Sequence, residues 1–172
     1  MFWALRGGGA GSWGVVISAT VRTYPFFNAT SHTVDILAAT NESTADLMAL
    51  HARHIFDWDA VRGGQYFSLF SGSQNGMAGN ALVLNTFFAN KSEDEARALM
   101  KPLLDEARSM NFSVQMEETT EGLANDLLFV DDVFLGINDV LGSRLIPAEA
   151  YKTDPEGIGR GMAKLIEEGV PQ

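Results

Sequence analysis

The apolar positions of this chain change period in a regular order. From His32 to Leu37 they alternate, which predicts a strand with Val34 and Ile36 on one face. From Glu42 the period lengthens to that of a helix, with Leu47, Leu50, His51, His54, Ile55 and Trp58 on one side. Asn41 or Ser43 suits its N-cap, and Gly63-Gly64 stops the chain. Alternation returns in Tyr66-Phe67-Ser68-Leu69-Phe70-Ser71 and again in Leu82-Val83-Leu84-Asn85-Thr86-Phe87-Phe88. Between them lies Ser73-Gln74-Asn75-Gly76, whose Asn-Gly step readily takes the positive φ of a hairpin turn, so the two strands are expected to pair antiparallel. Ser92 to Met110 predicts the clearest helix, with Ser92 as cap and Glu93, Asp94 and Glu95 facing the positive end of its dipole. Its apolar face is Ala96, Leu99, Met100, Leu103, Leu104 and Ala107. Phe112 to Thr119 reads as a strand, Leu123 to Leu135 is apolar without a clear period, and Asp154 to Glu168 predicts a last helix whose start Gly157, Gly159 and Gly161 weaken.

Strand, helix, strand, strand, helix, strand is the order of a ferredoxin-like α+β unit, an antiparallel sheet with helices packed on one face. In such a layer one side of each strand covers the helices and the other is free. On the predicted hairpin Tyr66, Ser68 and Phe70 share one side, and Phe67, Leu69 and Ser71 the other.

A different demand appears near the N-terminus, where five of the eight residues from Gly7 to Gly14 are glycine. Such density suits a backbone that needs positive φ or that something approaches closely. Gly9-Ala10-Gly11-Ser12-Trp13-Gly14 matches the form G-x-G-x-x-G, and Asp35 lies at about the distance expected of the ribose-binding acid. The context excludes that motif, because its glycines open a helix. Here they precede Val15, Val16, Ile17, Thr20, Val21 and Thr23, a β-branched run that predicts a strand ending at Pro25. A phosphate loop of the Walker type is excluded too, since no Lys-Ser/Thr follows Gly14.

Phe2-Trp3-Ala4-Leu5-Arg6-Gly7-Gly8-Gly9, a short spacer, Trp13-Gly14-Val15-Val16 and a strand closing on Tyr24-Pro25 resemble the last motif of the flavin-binding domain in berberine-bridge-enzyme-like oxidases, FAD enzymes of the vanillyl-alcohol-oxidase (VAO) or PCMH type. Gly142-Ser143-Arg144-Leu145-Ile146-Pro147 is similar to a stretch of that family's substrate domain. The resemblance implies that residues 1–25 close a PCMH-type FAD-binding domain and that residues 26–172 form a substrate-binding α+β domain, incomplete at its C-terminus. The chain is then a fragment of a longer oxidase, its partner the missing FAD-binding segment. The resemblance further implies FAD contacts from the main chain of Gly8, Gly9, Gly11, Ser12, Gly14, Val15 and Val16. The residues that bond covalently to the flavin, a histidine and often a cysteine, would lie upstream, and the catalytic base downstream. It also places the free sheet face over the flavin ring, which makes Tyr66, Ser68, Gln115 and Glu117 the substrate-side candidates. The reaction implied is hydride transfer from a small sugar, alcohol or alkaloid-like substrate to flavin, with dioxygen as acceptor. The competing reading is a catalytically inactive remnant that serves as a binding domain through its uncovered sheet.

The remaining features narrow the class. At 172 residues and 46% hydrophobic content the chain is globular and of one-domain length. Its net charge of -10, from 12 basic and 22 acidic residues, repels phosphate backbones and argues against nucleic acid as a partner. No apolar run approaches the ~18 residues of a membrane span. His51, His54 and Asp57 could share one helix side and hold a metal, but nothing else in the sequence supports this, so they read as ordinary helix residues and no metal is expected. Glu117, Glu118 and Glu121, and Asp131-Asp132, read as solvated edges more readily than as acid–base pairs. Four N-x-S/T sequons, at Asn28, Asn41, Asn90 and Asn111, exceed the one or two expected by chance and point to a secreted, glycosylated parent. The absence of cysteine leaves that open.

Overall fold

The two-residue period of the strands and the longer period of the helices resolve into two layers. The computed structural model describes residues 7–8, 14–72, 78–127 and 144–168. Its elements run β1 (Asn28–Ala38), α1 (Asn41–His54), a 3-10 turn (Asp59–Val61), β2 (Gly64–Phe70), β3 (Asn80–Ala89), α2 (Glu93–Ser109), β4 (Ser113–Leu123), α3 (Ala124–Leu127), α4 (Ala148–Thr153) and α5 (Pro155–Glu167). The strands form one antiparallel sheet in the order β2-β3-β1-β4, which is the expected ferredoxin-like α+β arrangement.

β1 and β3 lie at the centre, in a register that sets Val34 opposite Leu84 and Ile36 opposite Leu82. All four are fully buried, together with Phe88, and the helices cover them with Leu47, Met48, Leu50, Met100, Leu103 and Leu104. Burying a side chain of this size contributes about 1.5–3 kcal/mol, so this shared face fixes the register. Trp58, just past α1, joins the same core, and its indole N–H donates to the Leu99 carbonyl of α2 at 3.1 Å.

Both long helices begin on side-chain caps. Ser92 and Glu95 satisfy each other's backbone N–H groups at the start of α2, as the sequence predicts. At α1 the cap is Thr40, one residue before Asn41 and three before Ser43, the two expected caps. Thr40 has extended backbone angles and its hydroxyl accepts from the Ser43 N–H, while Ser43 returns a bond to the Thr40 N–H. Asp154 caps α5 by accepting from the Gly157 N–H at 2.9 Å.

Three sequence expectations meet a different outcome. Val15 to Thr23 carries no sheet pairing, because a strand exists only against a neighbour and none of the described residues supplies one. Of the apolar stretch after Leu123, α3 takes the first four residues, and residues 128–143 lie outside the described residues, as does the Ser73-Gly76 turn. The glycines of α5 do not all weaken it. A β-carbon on Gly159 would stand 2.2 Å from the Ala45 carbonyl oxygen and 2.9 Å from the Ala49 nitrogen of α1, so this glycine lets the two helices touch backbone to backbone. Gly161 faces open space.

The helix-facing side of the sheet also buries polar groups, and they are paired in chains. The His51 ring donates from Nε2 to Gln65 Oε1 at 2.7 Å, and Gln65 Nε2 donates to the Thr86 hydroxyl at 2.7 Å. The His32 Nδ1 meets the Thr119 hydroxyl at 2.9 Å, leaving its buried Nε2 without a partner among the described residues. Burial lowers the pKa of both rings, in His51 against a smaller opposite effect of its bond to Gln65.

Two measurements check this packing. Gly159→Ala should lower stability by about 1–3 kcal/mol in urea unfolding, since the added methyl forces α5 off α1, whereas Gly161→Ala should gain up to ~1 kcal/mol of helix propensity. The histidines make stability depend on pH. Their folded pKa values lie below the unfolded value of 6.5, so the unfolded chain binds more protons in between. The stability they contribute is complete above pH 6.5 and falls as the pH drops toward the folded values. Urea midpoints should therefore fall between pH 7 and pH 5, and less steeply in His51→Gln.

Candidate functional site

The face of the sheet turned away from the helices is built in four cross-strand rows. Register places Gly64, Phe87, Ser31 and Thr120 in one row and Tyr66, Asn85, Thr33 and Glu118 in the next. Ser68, Val83, Asp35 and Met116 form the third, and Phe70, Ala81, Leu37 and Ser113 the fourth. Opposed residues of an antiparallel pair project to the same side, so the polar groups of neighbouring strands stand together. The Thr33 hydroxyl donates to Asn85 Oδ1 at 3.0 Å, and Tyr66 beside them is 79% exposed. These residues stand clear of the helices.

At one end of this face lies a concavity of about 550 Å³ lined by Asp35, Leu37, Phe70, Ala78, Ala81, Val83 and Gln115. Its wall is mostly apolar, with a carboxylate and an amide as the polar exceptions, the usual make-up of a small-molecule pocket. Gln115 reaches it through a β-bulge. Asp35 pairs with Met116 and Ile36 with Val114, so Gln115 is the extra residue of β4.

The bulge also separates two sequence candidates. Plain alternation puts Gln115 and Glu117 on one face. Beyond the bulge, Glu117 instead opposes Val34 on the helix-covered side and pairs with Arg108 of α2 at 2.8 Å. Tyr66, Ser68 and Gln115 are thus brought to the open face, and Glu117 is not. Asp35, Thr33 and Asn85 are the open-face residues that sequence reasoning left out. A signal for Asp35 existed in its alternation against Val34 and Ile36, but not its proximity to Phe70 two strands away.

Of the glycine-rich segment, Gly8, Gly14, Val15 and Val16 are described, while Gly9, Gly11 and Ser12 lie outside the described residues. Gly14 has φ +139° with nothing near its Cα hydrogens, a conformation that favours glycine. From Gly14 to Val16 the main chain makes no backbone hydrogen bond among the described residues, and Val15 is 91% exposed. Its amides are free to meet an anionic group, so this part of the segment fits a phosphate-bearing cofactor.

The histidines point elsewhere. His51 turns inward to Gln65, whereas His54 bonds Asp57 through Nδ1 at 2.5 Å and Glu106 of α2 through Nε2 at 2.9 Å. The hydrogen bond from His54, with that from Arg53, holds the Glu106 carboxyl below its ordinary pKa. No group of three or more His, Asp or Glu side chains is arranged to hold a metal among the described residues, nor is any described helix long and apolar enough to cross a membrane. Asn28, Asn41, Asn90 and Asn111 are all exposed, and Asn28 and Asn90 adjoin through a 2.8 Å backbone bond from the Asn90 N–H.

No protein-family model matches the chain. It is 25% identical to the FAD-linked oxidoreductase patO of Aspergillus clavatus across 99% of its length and 30% of that protein's. It is 30% identical to the FAD-linked oxidoreductase cheF of Chaetomium globosum across 97% of its length and 25% of that protein's. Its fold matches the crystal structure of the VAO-type flavoprotein MtVAO615 from Myceliophthora thermophila with a TM-score of 0.68 and 19% identity, covering 98% of this chain and 30% of that one. The chain spans less than a third of the length of these relatives. In sequence and in fold it is similar to one segment of the VAO-type FAD-linked oxidoreductases.

Proposed function

We propose that the chain is part of a FAD-dependent oxidoreductase, of the berberine-bridge-like subtype, and supplies the substrate-facing sheet together with the end of the flavin site. The observation that carries this reading is the one-sided sheet. Helices cover its Val34–Ile36 face, while the opposite face presents Tyr66, Asn85 and Thr33 and, at one end, a pocket of small-molecule size lined by Asp35 and Gln115 among apolar residues. The names of patO and cheF support the cofactor assignment.

In this reading residues 1–25 close a PCMH-type FAD-binding domain and residues 26–172 form the substrate domain. The free amides around Gly14, Val15 and Val16 hold part of the cofactor, Gly14 because its positive φ lets the backbone turn without a side chain in the way. When bound, FAD supplies an acceptor for a hydride from a substrate carbon, with dioxygen as the final acceptor. The chain's own part is binding and orientation. Phe70, Leu37 and Val83 exclude water from an apolar substrate body, and Tyr66, Ser68, Asn85 and Gln115 offer hydrogen bonds to a sugar, alcohol or alkaloid-like compound. The four exposed sequons support a secreted glycoprotein parent.

Intact mass and visible absorbance of the protein isolated from its natural source test this. The expected result is flavin absorbance on a species well above 18.7 kDa. A colourless protein of 18.7 kDa would overturn the reading. In the flavin-bearing protein, Gly14→Val should reduce bound FAD per chain, because a β-branched residue at this φ carries about 1–3 kcal/mol of backbone strain.

A further inference from the structure

Asp35 is anomalous for its position. It sits on a central strand in the wall of the 550 Å³ pocket, and its Oδ1 is buried without a hydrogen-bond partner among the described residues. Leaving a buried oxygen unsatisfied is costly, more so when it is charged, so this atom of a half-buried side chain marks a place where something else supplies the donor. The pocket wall gives none of the usual answers. Among the described residues its other lining side chains are Leu37, Phe70, Ala78, Ala81, Val83 and Gln115, with no lysine, arginine or histidine among them.

Gln115 does not neutralise the acid either. The bulge brings it to the same pocket, but its amide nitrogen donates to the Ser113 hydroxyl and leaves the carbonyl oxygen as a second acceptor. Two acceptors against an apolar wall select a ligand that brings its own donors. A carboxylate in the wall, and a net charge of -10 over the chain, both favour a cationic donor over a neutral one.

We propose that Asp35 is a specificity-determining residue, the counter-ion for a protonated amine carried on an apolar body that fills the space between Leu37, Phe70 and Val83. This deepens the substrate-side reading of the open sheet face and rests on it for the claim that the ligand is a substrate. Gln115 accepts a second N–H from the same ammonium group, and Val83, at the centre of the third row, sets the depth available to the apolar part.

The test is calorimetric titration of the intact protein with two probes of nearly equal shape, 2-phenylethylamine and 2-phenylethanol, at neutral pH and low salt. The amine is expected to bind at least about tenfold more tightly, the effect of one charge-assisted hydrogen bond in a partly desolvated site. Asp35→Asn should bring the two probes to within about twofold of each other, and Val83→Phe, which fills the pocket and leaves the charge in place, should abolish binding of both. Equal affinity of the two probes in the wild-type protein overturns the proposal. So does an amine preference that survives in either variant, since simple attraction to an acidic surface would survive in both. The outcome is separable from that of the flavin measurement. A flavin-bearing protein without amine preference refutes the role of Asp35 alone, and an amine preference in a colourless protein refutes the oxidoreductase reading alone.

Discussion

A four-stranded sheet has two faces, and here the helices cover one of them. That asymmetry is enforced by burial of Val34, Ile36, Leu82, Leu84 and Phe88, none of which retains measurable exposure. A one-residue slip of β1 against β3 would carry Val34 and Ile36 to the open side and bring Thr33 and Asp35 under the helices. Either change would cost a large fraction of the roughly 5–15 kcal/mol by which such a domain is stable, so the identity of the open face follows from the core.

Most polar groups on the covered side have a local partner, the Nε2 of His32 being the exception among the described residues. His51, Gln65 and Thr86 form a continuous chain across α1, β2 and β3, and Asn80 donates to both Asn41 and Thr44 where α1 meets the sheet. These bonds orient α1 as well as satisfying buried groups. On the open side the polar groups are more loosely engaged, with Tyr66 exposed and an oxygen of Asp35 without a partner among the described residues. A binding surface needs groups still available to a ligand, whereas a core cannot keep them.

The bulge at Gln115 is a small irregularity with a large effect on this division. By adding one residue to β4 it directs Gln115 to the pocket and returns Glu117 to the helix side, where Arg108 neutralises it. The N-terminal residues obey a different constraint. Val15, Ile17, Val21, Tyr24 and Phe26 are all strongly exposed and outside the sheet, an apolar run that the described fold does not bury. In the proposed oxidoreductase that run, up to Tyr24, would belong to the flavin-binding domain and be covered there.

Periodicity alone determined the strand–helix order from β1 to β4 and the antiparallel α+β layer, because those depend on side chains a few residues apart. The cap at Ser92 was legible for the same reason, and the cap at α1 fell on Thr40 rather than Asn41 or Ser43 because all three have the chemistry of a cap. The glycine-rich segment was readable as a motif, since its backbone demands are local. Tertiary structure decided what depends on distance across the fold. It set Asp35 beside Phe70 and Gln115, and separated Gln115 from Glu117 through a bulge that no period announces. It also turned Gly159 from a helix weakness into the contact point of two helices. Local pattern fixes which way a side chain faces, but only the paired strands and packed helices fix what stands opposite it.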